Sequence, residues 1–124
     1  LRLGSLEPRR DLTYVKDTAA GFAAIAGCRQ AIGQVVNIGR GDDVSIGDLV
    51  ELIGQRLGKQ LSVETDPQRV RPAASEVGRL LAGTQLARDL WGWEPRYSLQ
   101  AGIDETIEYV RANLTRFRVD QYTT

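Results

Sequence analysis

Histidine is absent from the 124 residues, so the commonest acid–base group near neutral pH and the commonest metal ligand are both missing. Cysteine occurs once, at Cys28, which excludes an internal disulfide and a cysteine-rich zinc cluster. Its apolar neighbourhood reads as that of a small buried hydrophobe, and one cysteine fits a reducing, cytoplasmic compartment. Net charge is missing too. Sixteen Lys and Arg balance sixteen Asp and Glu, which excludes a basic nucleic-acid arm or a polybasic membrane anchor as the main business of the chain. No apolar run approaches the ~20 residues that span a bilayer. Methionine does not occur, the first residue is Leu1, and no signal-peptide pattern is present, features that read as a processed product or a piece of something longer.

What remains is ordinary globular material. With 42% hydrophobic and 26% charged residues, the chain has enough apolar content for one domain or part of one. Short strand-like runs alternate with longer helical ones, the pattern of an α/β or α+β layered unit. Strands are expected at Leu12–Val15, at the glycine-bounded β-branched run Gln34–Ile38, and at Leu61–Glu64, with a further short apolar stretch at Leu80–Ala82. Asp17 is placed to cap a small-residue helix through about Cys28, with Phe22, Ile25 and Ala26 on its inner face. Ser45 opens a second helix, with Asp48 approximating a capping box, Ile46, Leu49, Val50, Ile53 and Leu57 at helical spacing, and Gly58 as the C-cap. Thr84 opens a helix through about Leu90. Pro95 stops the chain after two tryptophans, and Ser98 caps a last helix with the face Leu99, Ile103, Ile107, Val110 and Leu114. Residues 117–124 read as a flexible polar tail beyond a unit of residues 1–116.

Among motifs, a β-branched run entering Gly39 and Gly41 and followed by a helix suggests a dinucleotide loop, with Glu64 near the place of a ribose-binding carboxylate. Val44 occupies the third glycine position, however, and Asp42 and Asp43 would satisfy the helix dipole and repel a pyrophosphate. No phosphate loop with lysine, no nucleophile elbow and no Tyr with Lys four residues on is found. The chain holds no obvious chemical engine. Arg9, Arg10, Arg69, Arg71 and Arg79 fall in two loop-adjacent segments. Their forked donors suit phosphate oxygens, and two such segments converging on one ligand would suit a diphosphate; surface ion pairs with Asp11, Asp66 or Glu76 are the plainer alternative. Trp91 and Trp93 read as packing at a chain reversal more readily than as a base-stacking platform. The Ser45 helix carries Asp42, Asp43, Asp48 and Glu51 at or near its start, which argues against nucleic acid as a partner.

The runs LGSLEPRRDLTYVKDTAAGF, GQVVNIGRGDDVSIGDLVELIGQRLG, RVRPAASEVGRLLAG and LWGWEPRYSLQAGIDETIEYV, in that order, resemble the C-terminal part of the extended short-chain dehydrogenase/reductases, the NAD-dependent nucleotide-sugar epimerases and 4,6-dehydratases. Taken together, LGSLEPRRD and RPAASEV are most similar to a 4,6-dehydratase branch acting on sugar nucleotides. The resemblance covers about Leu1 to Asn113. It implies an α/β fold, the C-terminal portion of an extended Rossmann-type enzyme in which short strands alternate with about four helices. It also implies that Arg10 and Arg71 contact the diphosphate of a nucleotide-diphosphate sugar and that Glu76, or Ser75 in its place, contacts the ribose. Asp11 and Asp17 would organise the strand-to-helix turn. Gly83 and Leu86 depart from the family's usual Asp and Lys.

By the same resemblance, no catalytic residue lies in this chain, and NAD would be bound by a missing N-terminal Rossmann portion that performs the lyase or isomerase chemistry. This chain would bind no cofactor itself and would be inactive alone. Its exposed strand edges imply a homo-oligomer or a strand-exchanged dimer. The alternative is a free-standing, non-catalytic module that binds a sugar nucleotide or a protein partner.

Overall fold

Ser45 performs the task its position before an apolar period suggests. Its Oγ accepts the Asp48 N–H at 3.0 Å, and helix α2 (Ile46–Leu57) runs from there to Gly58, which closes it at a left-handed φ of 63°. Ser98 opens α4 (Leu99–Ala112) in the same way, accepting the Ala101 N–H at 3.1 Å. The computed structural model describes residues 1–72 and 75–117, so most of the expected tail lies outside the described residues. Within them, short strands alternate with four helices in an α/β arrangement. α3 spans Gln85–Trp91; Thr84 precedes it without a capping bond from its side chain. α2 packs on α4, and Leu49, Ile53, Leu99, Ile103 and Ile107 line an apolar groove of about 400 Å³ that also takes in the 12–15 segment. None of the described helices is long and apolar enough to cross a membrane.

Helix α1 (Val15–Ala26) departs from expectation at both its start and its inner face. It begins two residues before Asp17, so the strand expected at Leu12–Val15 does not form and Asp17 sits inside the first turn. The buried positions are Asp17 and Gly21, one turn apart, while Phe22 is 67% exposed. Directional bonds decide this orientation. The Asp17 carboxylate, 1% exposed, accepts the backbone N–H of Arg96 at 3.0 Å and of Tyr97 at 3.1 Å. Turning Phe22 inward would pull Asp17 off both donors. Gly21 completes the contact, because a Cβ there would lie 2.5 Å from Ile38 Cδ1 and 3.0 Å from the Trp93 ring. Trp93 is buried and donates its indole N–H to the Gly39 carbonyl at 3.1 Å, which gives it the packing role expected at the chain reversal.

The strands are only two residues long. β1 (Arg2–Leu3) pairs in parallel with β4 (Glu64–Thr65). β2 (Arg9–Arg10) lies between β3 (Val44–Ser45), antiparallel, and β5 (Arg79–Leu80), parallel. The run Gln34–Ile38 forms no strand: a ladder needs a neighbour, no described segment pairs with it, and Val35 is 89% exposed. The expected Leu61–Glu64 strand is displaced to β4, and Leu80–Ala82 to β5. Cys28 is half-buried instead of buried, with Sγ 3.6 Å from Gln30 Oε1 and 3.7 Å from the Leu90 carbonyl.

Asp17→Ala leaves two inward-facing N–H groups without an acceptor, at a cost of about 2–4 kcal/mol in total. Urea unfolding followed by far-UV circular dichroism should show the loss; an unchanged midpoint would mean that the 96–97 amides do not depend on this carboxylate.

Candidate functional site

Successive strand residues project to opposite faces, so Arg9 and Arg10 serve two different neighbourhoods from one short strand. On one side, Arg9 Nε bonds Asp43 Oδ1, and its Nη2 reaches the Asp43 carbonyl at 3.2 Å. Arg79, the register partner of Arg9 on β5, bonds Asp43 Oδ2. Asp48 adds a longer contact, 3.6 Å from Arg9 Nη1. The Asp43 side chain is 6% exposed, and the hydrogen bonds from Arg9 and then Arg79 hold its carboxyl below the usual carboxylate range. This corrects the expected role of Asp42 and Asp43 at the α2 dipole. Asp42 pairs with Arg40, Asp43 ties β2 to β5, and the helix start is served by Ser45.

On the other side, Arg10 Nη1 donates to the Arg9 carbonyl at 2.8 Å and Nη2 to Glu76 Oε1 at 3.1 Å. Glu76 is presented by a turn closed on one carbonyl: Pro72 O accepts the N–H of Ser75 at 2.8 Å, the N–H of Glu76 at 3.1 Å and the Ser75 hydroxyl at 3.0 Å. Arg71 is exposed and directly precedes Pro72. Residues 73 and 74 lie outside the described residues. The fold therefore joins Arg10 and Glu76; Ser75 precedes Glu76 on its turn, and Arg71 precedes Pro72, whose carbonyl closes that turn. Arg69 pairs with Asp66 and Arg79 with Asp43, and the Arg10–Glu76 and Arg69–Asp66 contacts are the ion pairs that the plainer alternative expects. The apolar groove between α2 and α4 is lined by none of the four candidate binding residues.

The glycine turn is occupied from within. Asp11 Oδ1 accepts the Arg40 N–H at 3.0 Å, and Oδ2 accepts the Gly41 N–H at 3.0 Å and the Ala82 N–H at 3.4 Å. A Cβ at Gly39 would fall 2.6 Å from Asp11 Oδ2 and 2.5 Å from Ala82 Cβ. A dinucleotide phosphate does not fit there: the amides that would cradle it are committed to a carboxylate, and Asp42 and Asp43 stand beside them. Asp11, expected to organise the strand-to-helix turn, accepts the Thr13 hydroxyl there at 3.3 Å and also binds the backbone of the Gly39 turn, whereas Asp17 binds the backbone of residues 96 and 97. The Asp43 clamp was not visible in the sequence either, where its one signal was a pair of carboxylates beside a glycine turn.

Residues 1–106 match the family described as GDP-mannose 4,6 dehydratase. The chain is 30% identical to UDP-glucuronic acid decarboxylase 1 of Xenopus tropicalis, over 96% of this chain and 27% of that protein. Among solved structures, a UDP-glucose 4-epimerase from Thermotoga maritima, determined with UDP-glucose, superposes with a TM-score of 0.78 at 27% identity, covering 92% of this chain and 35% of the other. A dTDP-glucose 4,6-dehydratase from Bacillus anthracis, in complex with NAD, shares the fold at a TM-score of 0.81 and 24% identity, over 93% and 35% of the two chains. The chain belongs to the GDP-mannose 4,6 dehydratase family, among the nucleotide-sugar epimerases and dehydratases that its sequence resembles. It spans about a third of the length of the relatives it matches.

Among the described residues, three carboxyls sit below their usual range: Asp43 through Arg9 and Arg79, Asp104 through Arg56, and Glu105 through Lys16 and Tyr14. A lowered folded-state pKa gives stability that is present above the unfolded value near 4 and is lost as pH falls through the folded one. Acid titration followed by circular dichroism should therefore show destabilisation setting in below about pH 4. Asp43→Asn should start less stable at pH 7 and lose less on acidification; the same acid slope as wild type would remove Asp43 from this account.

Proposed function

We propose that this chain, over residues 1–116, is the substrate-binding portion of an NAD-dependent nucleotide-sugar 4,6-dehydratase or epimerase. The observation that carries this reading is the Arg10–Glu76 contact at 3.1 Å, which brings the RRD segment and the RPAASEV segment to one place although they lie 66 residues apart. Arg10 and Arg71 supply forked cationic donors to a diphosphate, and Glu76, with Ser75 beside it, accepts from ribose hydroxyls. UDP-glucose in the Thermotoga maritima relative is a ligand of the chemistry these groups suit. NAD, as hydride acceptor and donor at the sugar, belongs to residues outside this chain, consistent with the committed amides of the Gly39 turn. The contribution of this portion is grip: binding energy at the nucleotide orients the reacting sugar. Its compartment in this reading is the cytoplasm.

Isothermal titration with UDP-glucose and GDP-mannose tests the site. Each of Arg10→Ala and Arg71→Ala should weaken binding by about tenfold or more, the worth of one charge-assisted hydrogen bond. Unchanged affinity in both variants would defeat the assignment.

Phe22, Ile32 and Val35, at 67%, 79% and 89% exposure, form apolar surface that the longer protein would cover. Sedimentation of the isolated chain should show self-association that weakens in a Phe22→Ser, Val35→Ser double variant. A monomer at all concentrations would contradict this.

A further inference from the structure

The sheet that carries Arg10 is stapled across its width from the opposite face. Asp43 directly precedes β3, on one side of the central strand β2, yet its carboxylate reaches past β2. Oδ1 accepts from Arg9 Nε, and Oδ2 accepts from Nε of Arg79 on β5, the strand on the far side. Arg9 also donates from Nη2 to the Asp43 carbonyl at 3.2 Å, so one guanidinium grips both the side chain and the backbone of residue 43. Arg9 and Arg79 are register partners, and without a carboxylate between them two like charges would stand side by side. Asp43 turns that repulsion into a junction of three strands. A carboxylate is what the position requires: it offers an oxygen to each guanidinium, whereas an Asn amide offers one oxygen and turns N–H groups toward the second cation.

Resting on the binding site read above, we propose that Asp43 is a positioning residue for nucleotide-sugar binding, acting through β2 on the cation at its other face. The backbone alone holds this register lightly. Outside the two-residue ladder itself, the Arg9 N–H donates to the Gly78 carbonyl at 2.8 Å and the Asp11 N–H to the Leu80 carbonyl at 2.9 Å. A slip of one residue would send Arg10 to the side that Arg9 occupies. With Arg9 and Arg79 locked to one carboxylate, the level and the face of Arg10 are set before any ligand arrives, and none of the Arg10 donors is used to do it. Arg79 is the second member of the device, and it holds the strand that follows the Glu76 turn.

Titration calorimetry with UDP-glucose tests the positioning role, with amide hydrogen exchange followed by NMR as a second readout. Asp43→Asn and Arg79→Gln should each weaken UDP-glucose by about fivefold, the scale of a coupling carried through an intervening element. Arg79→Lys, which keeps a donor for Asp43 Oδ2, should recover most of that loss. In the two weakened variants the Asp11 amide should exchange about tenfold faster, while the amides of α4 keep their wild-type rates. Asp104→Asn removes a comparable carboxylate, the partner of Arg56, from outside the sheet and should leave affinity unchanged. Arg79→Gln alters a side chain that is 64% exposed and decides the case should Asp43→Asn not fold. Wild-type affinity in Arg79→Gln, or an equal loss in Asp104→Asn, overturns the positioning role. If Arg10→Ala still weakens binding in that case, the site stands without it. Affinity indifferent to Arg10→Ala, or a wild-type chain that binds no UDP-glucose, overturns the site and the positioning role together.

Discussion

Two arginines on neighbouring strands share one buried carboxylate, and the site depends on that triad. Asp43 gives one oxygen to Arg9 and the other to Arg79, which fastens β2 to β5 at the same level where their backbones pair. Strands of two residues have few ladder bonds to fix register, and a slip by one would exchange the faces of Arg9 and Arg10. With Arg9 pinned to Asp43, the pleat sends Arg10 to the opposite face, toward Glu76. An ion pair on one side of the strand thus sets the address of the cation on the other.

Elsewhere the molecule relies on the same device. Its buried apolar residues are few, Ala31, Ala87 and Trp93 among those described, and the largest described side chain closed off almost completely from solvent is that of Asp17, at 1% exposure. Apolar burial is non-directional and cannot by itself choose among packings of short, irregular segments. Carboxylates that accept two or three backbone N–H groups can. Asp17 holds the turn after Trp93, and Asp11 holds the Gly39 turn together with the start of the segment that follows β5.

Helices with a hydroxyl cap and a clean apolar period were legible in the sequence. Ser45, Gly58 and Ser98 stand where local chemistry places them, because capping is decided within four residues. Strands were legible only in part. The β-branched run Gln34–Ile38 carries the composition of a strand, but pairing is a property of two segments, and composition speaks for one. Phe22 misled for a related reason: hydrophobicity set it inward, and the bonds of Asp17 to residues 80 positions away turned the helix so that it faces out. Of the candidate site, Arg10 and Glu76 were found through motif resemblance and the fold brings them into contact. Asp43 was missed because its partners come from two strands that only the tertiary structure unites.

The parallel pairing of β2 with β5 also bears on how the chain acquires its shape. The contacts that organise it span most of its length, with Arg10 and Glu76 separated by 66 positions and Asp17 and Tyr97 by 80. Closing such loops costs entropy before any bond repays it, which slows folding relative to a locally wired bundle of the same size. Within this segment β2 is made before both of its partner strands, and Arg10 stays without Glu76 until 66 further residues have followed.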